Sequence, residues 1–253
     1  MRTETALITG ASDGIGREYA RQLQARCKTL ILLGRSETKL AAVEAELQAM
    51  AGDELSVHCF ALDLAGTIGQ TRLMEVIRQK GPVSILINNA GFALQEKVAE
   101  CDLDGQLNMI SLHCDASLIA CRAALPFMRE AGRGQIINVA SLAAFLPMPE
   151  VAVYAATKAF LLSLSQSIAI EEKRYGIKVQ CLCPGYTRTG FHDRDQLANF
   201  DAGVIPEEAW SSVEAVVAQS LAEMDGEGRL AVVPGDANQQ VARGGLANLR
   251  ELI

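Results

Sequence analysis

Residues 5–16 read Thr-Ala-Leu-Ile-Thr-Gly-Ala-Ser-Asp-Gly-Ile-Gly. An apolar strand runs straight into glycines at 10, 14 and 16, and a helical pattern follows. Gly10 lets the chain turn off the strand. Gly14 and Gly16 let backbone N–H groups and a helix N-terminus come close to a pyrophosphate. A glycine triplet is a weak signal by itself. Its place between a strand and a helix is the place a dinucleotide site requires.

The rest of the chain repeats that alternation. Apolar runs at 5–9, 28–33, 55–61, 83–88, 135–140, 177–183 and 229–233 read as buried strands. Helical patterns lie between them near 14–26, 36–51, 66–80, 105–131, 153–175 and 206–225. Seven strands alternating with six helices predict an α/β protein, a doubly wound parallel sheet of the Rossmann type with helices on both faces. Abundant aliphatics and few aromatics, with Trp210 the single tryptophan, suit strands buried on both sides. No linker or repeat divides residues 1–253, so one domain is expected. The irregular stretch Pro184–Ile205 leaves the carboxyl edge of strand six and reads as a substrate loop, at about 185–210, or as a plain surface connection.

Charge and cysteines narrow the partners. A net charge of −7 argues against nucleic acid and anionic membranes. Seven cysteines without a Cys-x-x-Cys read as reduced core thiols of a cytoplasmic protein. The scattered histidines 58, 113 and 192 give no metal site. Uncharged stretches such as Gly134–Pro149 fall short of the roughly 18 apolar residues of a membrane span, and no leader is expected before a strand that begins near Thr5.

Four motifs then occur in order. They are Thr9–Gly16, Asn88-Asn89-Ala90-Gly91, Ser141 with Tyr154-Ala-Ala-Thr-Lys158, and Pro184-Gly185. Together they resemble the short-chain dehydrogenase/reductase family, over about three quarters of the chain. The chemistry of the side chains agrees. Tyr154 and Lys158 are i and i+4 in a predicted helix and share a face. A lysine ammonium about 4 Å from a tyrosine at an effective dielectric of about 20 supplies roughly the 4 kcal/mol that brings a phenol pKa from ~10 toward neutrality. Tyr154 is then able to give a proton to a carbonyl or take one from a hydroxyl. The resemblance implies that Ser141 orients the substrate carbonyl and that Lys158 also holds the nicotinamide ribose. The bland alternatives are a solvated Tyr/Lys pair and a turn serine.

One family position departs. Counting back from Leu125-Pro126, the asparagine that holds a relay water is replaced by His113. His113 reads either as a substitute relay or as a satisfied buried histidine.

For the cofactor, the resemblance places Gly10, Ser12, Ile15 and Gly16 along the phosphate turn, with Asp13 and Gly14 inside it. Asp63 matches the aspartate that touches the adenine amino group, unless it caps the next helix. Asn89, Ala90 and Gly91 match the adenine-ribose segment, and Pro184, Gly185 and Thr189 the segment along nicotinamide. NADP(H) is favoured over NAD(H). The acid expected at the end of strand two for a 2′-hydroxyl is absent, and Gly34-Arg35-Ser36 puts Arg35 where a 2′-phosphate would lie. Arg17 and Lys39 would add to its field.

The expected substrate is a small carbonyl or alcohol compound, apolar if Phe92, Leu94, Phe145, Leu146, Met148, Tyr186 and Phe191 line the pocket. A homodimer through helices 105–131 and 153–175 is expected, with a tetramer as the alternative. Two other readings stay open: an NAD-linked alcohol dehydrogenase, and a catalytically idle NADP-binding sensor or scaffold.

Overall fold

A computed structural model describes residues 3–191, 201–226 and 228–251, with the side chains of Asp53, Leu249 and Arg250 excluded. Seven strands form one all-parallel sheet: β1 (Glu4–Thr9), β2 (Cys27–Gly34), β3 (Ser56–Ala61), β4 (Ile85–Asn88), β5 (Gly134–Val139), β6 (Ile177–Leu182) and β7 (Ala231–Val232). Their order is β3-β2-β1-β4-β5-β6-β7. The order reverses between β1 and β4, so a crevice opens at their carboxyl ends, where such sheets bind ligands.

Strand side chains alternate between two cores. Ala6, Ile8, Leu30, Leu32, Ile85 and Ile87 face one cluster with α1 (Gly14–Leu23), α2 (Glu37–Ala51) and α7 (Val213–Asp225). Leu7, Ile31, Leu33 and Leu86 face the other, with α3 (Thr67–Lys80), α5 (Ala116–Ala131) and α6 (Ala152–Glu172). Each fully buried Leu or Ile contributes about 1.5–3 kcal/mol, and the central strands supply many. The expected doubly wound sheet is the one observed.

Several boundaries differ from the sequence pattern. The helix expected at 105–131 runs from α4 (Leu103–Ile110) through a π-helical turn at Ser111–Asp115 into α5, and His113 sits in that turn. The helix expected at 206–225 starts only at Val213, where Ser212 caps it by accepting from Ala215 N. Before it, Pro206 and the pairing of Ser211 with Tyr186 hold the chain in short turns. The last strand shrinks to two residues. The tail after β7 is the fifteen-residue α8 (Asp236–Arg250).

Candidate active site

The crevice is sewn together by side chains from both strand ends. Thr9 Oγ1 accepts from the backbone N–H of Asn89 at 2.9 Å and of Ala90 at 3.0 Å. The Asn89 amide donates to Thr9 O at 3.0 Å and Gly10 O at 3.1 Å. Asn89 and Ala90 therefore fix the phosphate turn, whatever else they touch.

In the turn itself Gly10 and Gly14 have φ of +66° and +50°, the region that penalises any Cβ. A Cβ on Gly16 would lie 2.2 Å from Gly10 O. Packing alone thus demands the third glycine, and it brings the N-terminus of α1 against the turn. Asp13 caps that helix by accepting from Gly14 N at 2.8 Å. Ile15 is half-buried against the core. Ser12 packs on Gly34, where a Cβ would meet its Oγ at 3.2 Å. The next residue, Arg35, is exposed and has no hydrogen bond or ion pair among the described residues. Arg17 differs from its expected role: Glu46 on α2 holds it at 2.9 and 2.6 Å, which balances its charge. Asp63 is exposed beyond β3 and accepts from Ala65 N at 3.1 Å. It is not the cap of α3, whose N-cap is Gly66.

Across the crevice, β5 ends beside Ser141, which caps a short 3₁₀ turn over Leu142–Phe145 by accepting from Ala143 N at 3.2 Å. That bond uses a lone pair and leaves the hydroxyl proton free to donate. The loop after β6 is tied to this turn, since Leu142 N donates to Pro184 O at 2.8 Å. Tyr154 and Lys158 lie one turn apart at the start of α6. Lys158 is buried and donates from Nζ to Val139 O at 3.0 Å, with Nζ 5.5 Å from the Tyr154 ring centre.

Here the electrostatics differ from expectation. Burial pushes the Tyr154 hydroxyl up to about 12, although a hydrogen bond with Ser141 opposes the rise. Burial lowers Lys158 to about 8, against weaker support from the thiols of Cys181, Cys114 and Cys183. Desolvation of the phenol therefore outweighs the hydrogen bond from Ser141 and leaves Tyr154 far from the neutrality expected from the Tyr/Lys spacing. Near neutrality Tyr154 carries its proton and Lys158 its charge.

His113 is 1% exposed. Its Nε2 accepts from Phe92 N at 3.2 Å and its Nδ1 lies 2.8 Å from Thr157 Oγ1. The rings of Phe92, His113, Tyr154 and Phe191 follow one another at centroid distances of 6.2, 5.9 and 6.3 Å.

The substrate side is only partly as expected. Phe145 is buried in a cluster with Leu161, Cys181, Cys183 and Ala242 of α8, so it supports the Ser141 turn from behind. Tyr186 packs against Trp210, with ring centres 5.4 Å apart and the planes tilted by 46°. Ser211 N donates to Tyr186 O at 2.9 Å and Arg188 N to Ser211 O at 3.0 Å, which closes the base of the expected substrate loop. Residues 192–200 of that loop lie outside the described residues. Thr189 packs over Gly14, its Cβ 3.1 Å from where a Gly14 Cβ would be.

The contact of α8 with the site was not read from the sequence. A Cβ on Gly245 would lie 2.1 Å from Phe145 O, and one on Gly185 would lie 2.5 Å from the Asn238 side chain. The helix therefore packs backbone to backbone on the turn that carries Ser141. The Gly244-Gly245 pair inside a helical pattern was the available signal.

A parallel doubly wound sheet with a glycine turn at its switch point, faced by Ser, Tyr and Lys, defines a dinucleotide-dependent oxidoreductase class. Residues 4–198 match the family model for short chain dehydrogenase, and the chain belongs to that family. It is 36% identical over 180 residues to the very-long-chain 3-oxoacyl-CoA reductase of Pyrenophora tritici-repentis, a match covering 70% of this chain and 53% of that one. The chain thus spans about half the length of such relatives. Among solved structures, a short-chain dehydrogenase from Sphingobium yanoikuyae in complex with NADPH is 31% identical, with a TM-score of 0.85 over 99% of this chain and 96% of that one. A bulky-bulky ketone specific alcohol dehydrogenase from Comamonas testosteroni is 25% identical, with a TM-score of 0.82 over 100% and 96%.

Proposed function

We propose that this protein is an NADP(H)-dependent carbonyl reductase, reversible with the corresponding secondary alcohol. The observation that carries the reading is the convergence of Ser141, Tyr154 and Lys158 on the crevice that the glycine turn borders. The residues fit a dinucleotide. Gly10, Gly14 and Gly16 leave a cradle free of Cβ atoms at a helix N-terminus. Arg35 at the end of β2 is an exposed cation that suits a 2′-phosphate. Asp63, Asn89, Ala90, Gly91, Pro184, Gly185 and Thr189 would complete its contacts. The solved relative holding NADPH supports the same choice.

The cofactor supplies hydride when bound. In the reductive direction Ser141 donates a hydrogen bond to the substrate carbonyl oxygen and fixes it beside Tyr154. Tyr154 gives its proton to that oxygen, and the Lys158 ammonium stabilises the phenolate left behind. With Tyr154 up near 12 and Lys158 near 8, both groups are in the required form at neutral pH.

An oxo substrate that is largely apolar suits Phe92, Leu94, Leu146, Met148 and Phe191, and 3-oxoacyl thioesters belong in the screen because of the relatives' activity. Purified protein with NADPH should consume it in the presence of ketones, aldehydes or 3-oxoacyl thioesters. A panel in which the native protein is no faster than Tyr154→Phe would favour the idle sensor.

A homodimer through α4, α5 and α6 accompanies this reading. Leu103, Leu107 and Ile110 on α4 and Phe160 on α6 are exposed, and a groove of about 400 Å³ lies between Ile110, Cys114, Ala152, Val153, Ala156 and Thr157. Light scattering should give twice the chain mass, and Phe160→Asp should lower it.

A further inference from the structure

The π-helical turn at Ser111–Asp115 carries a histidine whose two ring nitrogens are both committed. The direction of each hydrogen bond is fixed by its partner. Thr157 Oγ1 donates its one proton to Tyr154 O at 2.7 Å. Toward His113 Nδ1, 2.8 Å away, the same oxygen therefore acts as acceptor, so Nδ1 carries the hydrogen. On the other side the Phe92 N–H donates to Nε2 at 3.2 Å, so Nε2 presents its lone pair. A proton added to Nε2 would point at the Phe92 N–H and break that bond.

The surroundings disfavour a second proton as well. A Cβ on Gly91 would lie 2.7 Å from His113 Nε2 and 3.6 Å from Lys158 Nζ, so the two nitrogens border one small gap. Protonated His113 would be a cation facing the buried Lys158 ammonium. Burial and Lys158 both hold the imidazole well below its ordinary value. Of the other groups packed on it, the Tyr154 ring stands edge-on at 5.9 Å and stays neutral near pH 7.

We propose that His113 is a positioning residue, held as the neutral Nδ1–H tautomer, which brackets the Phe92 backbone after β4 to Thr157 on the helix that carries Tyr154 and Lys158, and that it passes no proton during turnover. Thr157 hangs from the Tyr154 carbonyl, so the bracket joins the loop beside the cofactor crevice directly to the turn that presents the phenol. The imidazole sits in the π-helical turn at Ser111–Asp115, against a Gly91 whose lack of a side chain leaves it room.

The kinetic part rests on the reductase reading; the tautomer does not. In full-length protein with labelled histidines, and with a His113→Asn variant to assign the signals, His113 should show the Nδ1–H tautomer and no titration between about pH 5 and 9. An Nε2–H tautomer, or a titration inside that range, overturns the proposal even if no substrate is ever found. In turnover, His113→Ala should lower kcat roughly tenfold while the pH–rate profile keeps its shape and added imidazole gives no rescue. His113→Ala and Thr157→Val should be non-additive, since they cut one bracket. Rescue by imidazole, or loss of one limb of the profile, would make His113 a relay.

Discussion

Between β1 and β4 the crevice is held by backbone and by groups that touch it: Thr9 Oγ1, the Asn89 amide, and a Gly16 that has no space for a Cβ beside Gly10 O. Beyond β6 it is held by side chains and helices from distant parts of the chain. Trp210 packs at a tilt against Tyr186, Asn238 lies on Gly185, and Gly245 seats α8 on Phe145 O. In the first region nearly every position is dictated by a clash or a bond within a few residues of a strand end. In the second, the clashes are as tight, but they arise between segments far apart in the chain, α8 against the loop after β6 and the turn at Leu142–Phe145.

The difference predicts where substitutions will act. The largest effect belongs to the junction of the two regions. Tyr154→Phe should cut kcat by about 10³-fold, with NADPH affinity changed less than about twofold, as measured by stopped-flow and calorimetry. Next comes the cofactor region. Arg35→Asp should weaken NADPH by roughly 10–100-fold and leave NADH nearly unchanged; equal losses for both would remove Arg35 from the 2′-phosphate.

The pH profile tests the junction in a second way. Lys158 is charged below its pKa of about 8 and neutral above it. Reduction at a fixed concentration of NADPH should therefore be level below that point and decline above it, while alcohol oxidation should rise with pH. A reduction rate that rises through pH 8 would remove Lys158 charge from the mechanism.

The smallest effect separates two neighbouring glycines in the substrate region. A Cβ on Gly245 meets Phe145 O, whereas one on Gly244 meets nothing within 4 Å. Gly245→Ala should cost about 1–3 kcal/mol of stability and raise KM for the carbonyl substrate without changing NADPH affinity. Gly244→Ala should be neutral or stabilise by up to about 1 kcal/mol. Identical behaviour of the pair would dissolve the distinction drawn for α8.

The same contrast explains what could be read from the chain alone. Buried Val/Ile/Leu runs and the glycine turn give the doubly wound parallel sheet, because parallel strands must be apolar on both faces. That Ser141, Tyr154 and Lys158 come together was legible from the i, i+4 spacing and the family resemblance, and the fold sets them at the end of β5 and on one turn of α6. The helix-cap reading of Asp63 fails, because the cap of α3 is Gly66 and Asp63 accepts from Ala65 N instead. The upward shift of Tyr154 was not legible, because it comes from burial of the phenol itself, which no spacing encodes. Nor was the partner of His113, because Thr157 and Phe92 meet it only after three segments pack. Phe145 illustrates the opposite error: an apolar residue near the pocket in sequence faces the core under α8 instead.

The most direct test of the central claim is calorimetric titration of the native protein with NADPH and with NADH before any substrate is sought. The account predicts NADPH binding at least about tenfold tighter, with the advantage abolished by Arg35→Asp. Equal or tighter NADH binding would contradict the cofactor assignment and point to an NAD-linked alcohol dehydrogenase. Binding of neither would contradict the reductase itself.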